Sequence, residues 1–194
     1  MSPRLVLVRH GETEWSRVGR HTGRTDVPLT PAGEDEARAI GITLHDWIFA
    51  AVFASPLRRA RHTARLAGFA PTLDDDLVEW DYGAVEGRTN DAVTAQRPGW
   101  SKWFDTVPDG EQVADVAARA DRFIDRTVDL PDDVLVFGHG HHLAILVARW
   151  LELAPVEGRR FPLATATVSI LGHKRDDRVV HALNRPCGPP LPRR

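Results

Sequence analysis

The sequence predicts an α/β fold: a three-layer α/β/α sandwich around a mostly parallel central sheet. Nearly unbroken apolar runs at residues 4–8, 51–54 and 134–137 show no polar alternation, the pattern of strands buried on both faces of a parallel sheet. Between these runs lie segments with helical spacing of apolar residues, long enough to cross back over a sheet. With 194 residues the chain can bury one substantial core, and no internal repeat or linker divides it.

The first strand, Leu5–Val8, runs straight into Arg9, His10, Gly11 and Glu12. "LTPAGEDEARAIGITL" then supplies Thr30 as an N-cap, Pro31 as the first helical residue and an apolar stripe of Ala37, Ile40 and Leu44. The strand near 51–54 leads into a helix with Ser55 as cap and Pro56 in its first turn. Leu57, Ala60, Ala64 and Ala67 form the buried face of that helix, which ends near Gly68. Residues 75–112, rich in Asp, Glu, Gly and Trp, have weak periodicity and are expected to leave the sheet as a small cap. A clear helix returns with Val113, Val116, Ala120, Phe123 and Ile124 on one side. The strand at 134–137 is followed by a glycine-flanked turn and a strongly apolar helix. Two late strands are expected over 166–171 and 179–183, and a loose proline-rich tail over 187–194. Residues 1–194 thus read as a single domain.

Composition narrows the function classes. Twenty-five basic side chains against 27 acidic ones leave a net charge of −2, which gives no electrostatic case for nucleic acid or an anionic membrane. The single cysteine, Cys187, allows no intrachain disulfide, and no apolar segment fits a signal peptide or a membrane span. The expectation is a cytoplasmic protein. Its oligomeric state is left open, with a homodimer among the alternatives.

In parallel sheets ligands bind beyond the carboxyl ends of the strands. Three such ends carry chemistry here: Arg9 and His10 after the first, the Ser55–Arg59 turn after the second, and His139 after the third. Gathered together, these imidazoles and guanidiniums would repel one another unless an anion with several oxygens sat among them. Phosphate fits, because arginine forks onto its oxygens and a helix start adds a favourable dipole. A neutral histidine can also act as a nucleophile. Each piece has a plainer account: a solvated strand end for Arg9 and His10, and a polar helix face for Arg58, Arg59 and Arg61. His139, His141 and His142 resemble a small metal tract, but no second cluster completes a ligand set, so neither metal nor cofactor is expected.

"RHGET" after a buried strand, "SPLRRARHTA" opening a helix, "LVEWDYGAVEG", and "VFGHG" after another buried strand occur in that order. Together, across residues 4–172, they resemble the histidine phosphatase superfamily, also called phosphoglycerate mutase-like. The resemblance implies that His10 is phosphorylated, that Arg9 and Arg59 bind the phosphoryl group, and that His139 is the second pocket histidine. Glu79 would be the general acid, a role that suits a carboxylic acid with a raised pKa. The family often has asparagine where Ser16 stands; a hydroxyl there can still bond a phosphate oxygen. Thr22 and Gly23 in "RHTG", Tyr82 and Gly140 are further candidates for substrate contact.

The resemblance leaves phosphatase and mutase to be separated. Only about 25 residues lie between Gly87 and Val113, with Arg88, Arg97 and Lys102 but no adjacent arginine pair. Trp80, Tyr82, Trp100, Trp103 and Phe104 make this lid aromatic, either as packing of a small cap or as an apolar rim for substrate. A short, weakly basic lid admits water. The expected activity is therefore metal-independent hydrolysis of phosphomonoesters, with a small phosphorylated metabolite as substrate. Mutase-type phosphoryl transfer and a non-catalytic phospho-ligand module are the alternatives.

Overall fold

Side chains alternate across the two faces of strands β1 (Leu5–Arg9) and β4 (Val134–Gly138), and this alternation builds the two halves of the core. The computed structural model of the protein describes residues 3–188. Leu5, Leu7, Val134 and Val136 face one apolar cluster, while Val6, Val8, Leu135 and Phe137 face the other. Helices α5 (Val113–Thr127) and α6 (Gly140–Trp150) cover the first face through Phe123, Ile124, Leu146 and Trp150. Helices α2 (Pro31–Thr43) and α3 (Arg58–Leu66) cover the second through Ile40 and Ala64. The three-layer sandwich predicted by the unbroken apolar runs is the observed architecture.

The remaining strands are β2 (Ala51–Ala54), β3 (Thr72–Leu73), β5 (Thr167–Lys174) and β6 (Asp177–Pro186), in a six-stranded sheet of order β3-β2-β4-β1-β5-β6. β1, β2, β3 and β4 pair in parallel; β5 runs antiparallel to β1, and β6 antiparallel to β5. The late strands are longer than the expected 166–171 and 179–183. They join through a tight turn as a hairpin at the sheet edge, where half-buried residues of β6 carry no continuous apolar run to mark their extent.

Thr30 caps α2 as expected, its hydroxyl accepting from the Gly33 backbone, with Pro31 at the first position. Ser55 does not cap α3. That helix starts at Arg58, so Pro56 lies ahead of its first turn; N-cap Leu57 makes no side-chain cap, and Ser55 Oγ accepts from Leu57 N (3.3 Å) outside the helix and meets His139 Nε2. Short helices α1 (Glu14–Arg17) and α4 (Asn90–Thr94) complete the set. The expected cap over 75–112 holds α4 and two short 3-10 turns, Asp75–Leu77 and Gly83–Val85, with no long regular element. In the expected tail, Gly188 N donates to Thr43 Oγ1 (3.0 Å) and Cys187 Sγ to Ala166 O (3.0 Å). Residues 189–194 of that tail lie outside the described residues. Among the described residues, no helix is long and apolar enough to cross a membrane.

Candidate active site

β1, β4 and β2 are neighbours in the sheet, so their carboxyl ends bring Arg9, His10, His139 and the start of α3 to one edge. His10 is 3% exposed there, and its ring lies 5.2 Å, centroid to centroid, from that of His139. His10 Nδ1 is 2.8 Å from Gly11 O. A carbonyl only accepts, so Nδ1 carries the proton and donates. Burial, then the Arg59 and Arg9 charges, push the His10 pKa well below the ordinary histidine value, so the ring is neutral. Its Nε2 lone pair is left for the cavity that His10 lines.

That cavity is about 390 Å³. Of the residues the sequence singled out, Arg9, His10, Glu79, Tyr82 and Gly140 line it, and so do Ser16 and Thr22 at its loop side. Arg9 reaches it across the start of α6: a Cβ on Gly140 would sit 3.2 Å from Arg9 Cζ, so glycine leaves the guanidinium room. Arg9 NH1 donates to Leu163 O (2.5 Å), while Arg9 Nε is buried with no hydrogen-bond partner among the described residues. A buried, unpaired guanidinium N–H beside a neutral imidazole is a ready donor for an anion.

Arg59, His139 and Gly23 stand behind the cavity wall rather than on it. Arg59 is fully buried and donates to four acceptors: His139 Nδ1 (3.1 Å), Thr25 O (3.0 Å), Thr22 O (3.0 Å) and Gly23 O (2.9 Å). It thereby fixes both the 22–25 loop and His139. Since His139 Nδ1 accepts, its proton is on Nε2, which donates to Ser55 Oγ (2.8 Å). Here is the use of Ser55 that displaced the expected helix cap. Burial and the Arg59 charge push His139 well below the ordinary range as well. Gly23 is needed for close packing, because a Cβ would lie 2.7 Å from Trp80 O.

Ser16 meets the cavity, yet its hydroxyl donates to Thr13 O (3.0 Å) and accepts from Thr13 N (2.9 Å), closing a capping box around α1. Thr22 Oγ1 donates to Arg20 O (3.0 Å). Glu79, 4% exposed, sits over the N-terminus of α6. Its Oε1 accepts from Trp80 N (2.8 Å) and His142 N (2.8 Å), and its Oε2 from His141 N (3.1 Å). Of the two oxygens, Oε2 carries fewer bonds and is freer to serve a substrate.

The sequence reading had not placed His21 or Lys102 in the site. Lys102 Nζ donates to His21 Nε2 (3.1 Å), and His21 Nδ1 donates to Arg88 O (2.8 Å). Burial, with Lys102 close by, lowers His21 to about 4; burial lowers Lys102 to about 8, opposed by Glu79. "RHTG" contains His21, and Lys102 is one of only two lysines in the chain, but nothing local to either announces their contact. The lid aromatics divide: Trp80 is fully buried, Trp103 lines the cavity, and Phe104 is 69% exposed. His141 lines the cavity, whereas His142 is fully buried.

This arrangement has close counterparts. An acid phosphatase of Mycobacterium tuberculosis is 40% identical over 188 residues, covering 93% of this chain and 91% of that protein. A probable phosphoglycerate mutase of Erwinia tasmaniensis is 32% identical, covering 88% and 85% respectively. The solved structure of a Mycobacterium tuberculosis open reading frame product superposes with a TM-score of 0.91 at 38% identity, over 96% of this chain and 99% of that one. The family model of the histidine phosphatase superfamily (branch 1) matches residues 5–186, from the strand that presents Arg9 and His10 to the last strand of the sheet. With Arg9 and His10 on the cavity wall, Arg59 and His139 packed behind it, and that match running through nearly all of the chain, the protein belongs to the histidine phosphatase superfamily.

Proposed function

We propose that this chain is a phosphomonoesterase that works through a phosphohistidine on His10. One observation carries the reading: a neutral His10, its Nδ1 proton spent on Gly11 O and its Nε2 free, lines a cavity that the Arg9 guanidinium also lines. A phosphoryl group placed there receives Nε2 in line, and the P–O bond to the leaving group breaks as the N–P bond forms. Arg9 neutralises charge on the equatorial oxygens, with Arg59 and His139 behind it. Glu79 gives the leaving oxygen its proton through Oε2 and then takes one from the water that cleaves the phosphohistidine, which restores His10 and releases phosphate. The net reaction is ester plus water to alcohol plus phosphate.

Hydrolysis of p-nitrophenyl phosphate between pH 4 and 8 tests this, with His10→Ala as the control. Loss of the nucleophile is expected to lower kcat by at least about 10³-fold and to abolish trapping of phosphate on the protein. If wild type and His10→Ala are equally inactive on every phosphoester tried, the enzyme reading fails and a phospho-ligand module is left; equal nonzero rates would remove His10 as the nucleophile. The mutase-named relative favours a second reading, mutase-type transfer. With phosphoglycerate and a bisphosphoglycerate primer, phosphate release should outrun isomerisation; the reverse order would select the mutase.

A further inference from the structure

The cavity wall also holds a ring pair that the proposed steps do not use. Tyr82 is 1% exposed, and its hydroxyl lies 2.6 Å from His141 Nδ1. Burial first, then Glu79, push the phenol well above its ordinary pKa, so it keeps its proton. It has no other hydrogen-bond partner among the described residues, and a buried hydroxyl proton needs an acceptor. The phenol therefore donates to Nδ1. Burial keeps His141 neutral, so its remaining proton is on Nε2, which has no hydrogen-bond partner among the described residues. The ring itself is boxed in by Trp80, Tyr82 and Trp103, with centroids 6.3, 5.7 and 5.6 Å away. Its backbone N–H meets Glu79 Oε2 (3.1 Å), which places the residue beside the carboxyl that serves the leaving oxygen.

We propose that His141 is a specificity-determining residue, held by Tyr82 in its Nε2–H tautomer to donate a hydrogen bond to an oxygen of the leaving group. The favoured substrates are then phosphate esters of oxygen-rich alcohols, such as polyols and sugars, over esters of plain alkyl or aryl alcohols. A site built around a polar donor rejects ligands that leave the donor unpaired. Tyr82 is a positioning residue: it touches His141, not the ester. This rests on the phosphomonoesterase reading for the position of the leaving group, but the binding it describes needs no turnover.

The test uses two phosphonates that no hydrolase of this kind cleaves, propylphosphonate and 2,3-dihydroxypropylphosphonate, titrated calorimetrically into the whole protein. The dihydroxy compound is expected to bind about fivefold tighter, the size of one neutral hydrogen bond. His141→Phe should erase that preference, and His141→Gln, which keeps an N–H donor, should retain most of it. In ¹⁵N spectra, Tyr82→Phe should move His141 from the Nε2–H form towards a tautomer mixture, a change that loss of packing alone does not produce. Equal wild-type affinity for the two phosphonates overturns the proposal, as does a preference unchanged in His141→Phe. Turnover of p-nitrophenyl phosphate by the same wild-type preparation reports separately on the phosphomonoesterase reading.

Discussion

His10 is buried beside two guanidiniums, and those surroundings set its behaviour with pH. Its pKa is pushed well below 6.5 by burial and by Arg59 and Arg9, so lowering the pH through 6.5 does not protonate it. The nucleophilic lone pair survives where an exposed histidine would lose it. The acid limb of kcat/KM, corrected for the substrate's own ionisation, is expected below pH 6.5. A limb at 6.5 or above would mean that His10 is not held neutral. Arg9 contributes at the same scale: Arg9→Ala removes an oxyanion donor, and kcat is expected to fall by about 10²–10³-fold with the phosphohistidine slower to form in quenched flow. Both residues were legible in the sequence, because a buried strand that ends in Arg-His has few structural reasons to do so. Lys102 and His21 were not legible. They are 81 residues apart, one in the lid and one in a loop, and only the folded cap brings them within 3.1 Å.

Among the elements, α6 is the one that turns sequence into chemistry. Its first turn supplies the His141 and His142 backbone N–H groups that orient Glu79, so the acid is held by a helix start rather than by side chains. An amide in place of the carboxyl keeps one acceptor oxygen but has no proton to give as an acid. Glu79→Gln is therefore expected to slow alkyl phosphates by about 10²–10⁴-fold and p-nitrophenyl phosphate much less, since nitrophenolate leaves without help. A common loss for both substrates would remove Glu79 from the acid role. The helix start itself was readable from "VFGHG" after an apolar run. Ser55 fits a cap by its position before Pro56, but its hydroxyl only reaches Leu57 N (3.3 Å) ahead of the helix, and its shorter bond is to His139 Nε2, 84 residues away. A local pattern names which residue types sit at a helix entrance, but the partner that claims a hydroxyl is chosen by the sheet order.

At the level of the whole molecule, the sheet is only partly legible in the sequence. Unbroken runs at β1, β2 and β4 marked a buried parallel sheet correctly, because strands covered on both faces leave no polar alternation to misread. β3 has only two residues, and β6 is half exposed, so neither leaves such a mark. Folding around this sheet also buries an unusual set of imidazoles, and stability should show it. His10, His139, His141 and His142 are each driven well below 6.5, chiefly by burial, and His21 to about 4. Above pH 6.5 these groups are neutral in both the folded and the unfolded chain and contribute nothing to the pH dependence. Below 6.5 the unfolded chain takes up protons that the folded one refuses, so stability falls as pH falls. For His21 the loss continues down to about pH 4, where the folded protein protonates too. Each histidine contributes at most about 1.4 kcal/mol per pH unit in that window. Urea denaturation at pH 7.5, 6.5, 5.5 and 4.5 should show little change across the first step and progressive loss thereafter. Substituting His142, fully buried and outside the proposed chemistry, by Phe should flatten the loss. A stability that stays level down to pH 4.5, in a protein still folded, would mean that these imidazoles accept protons in place.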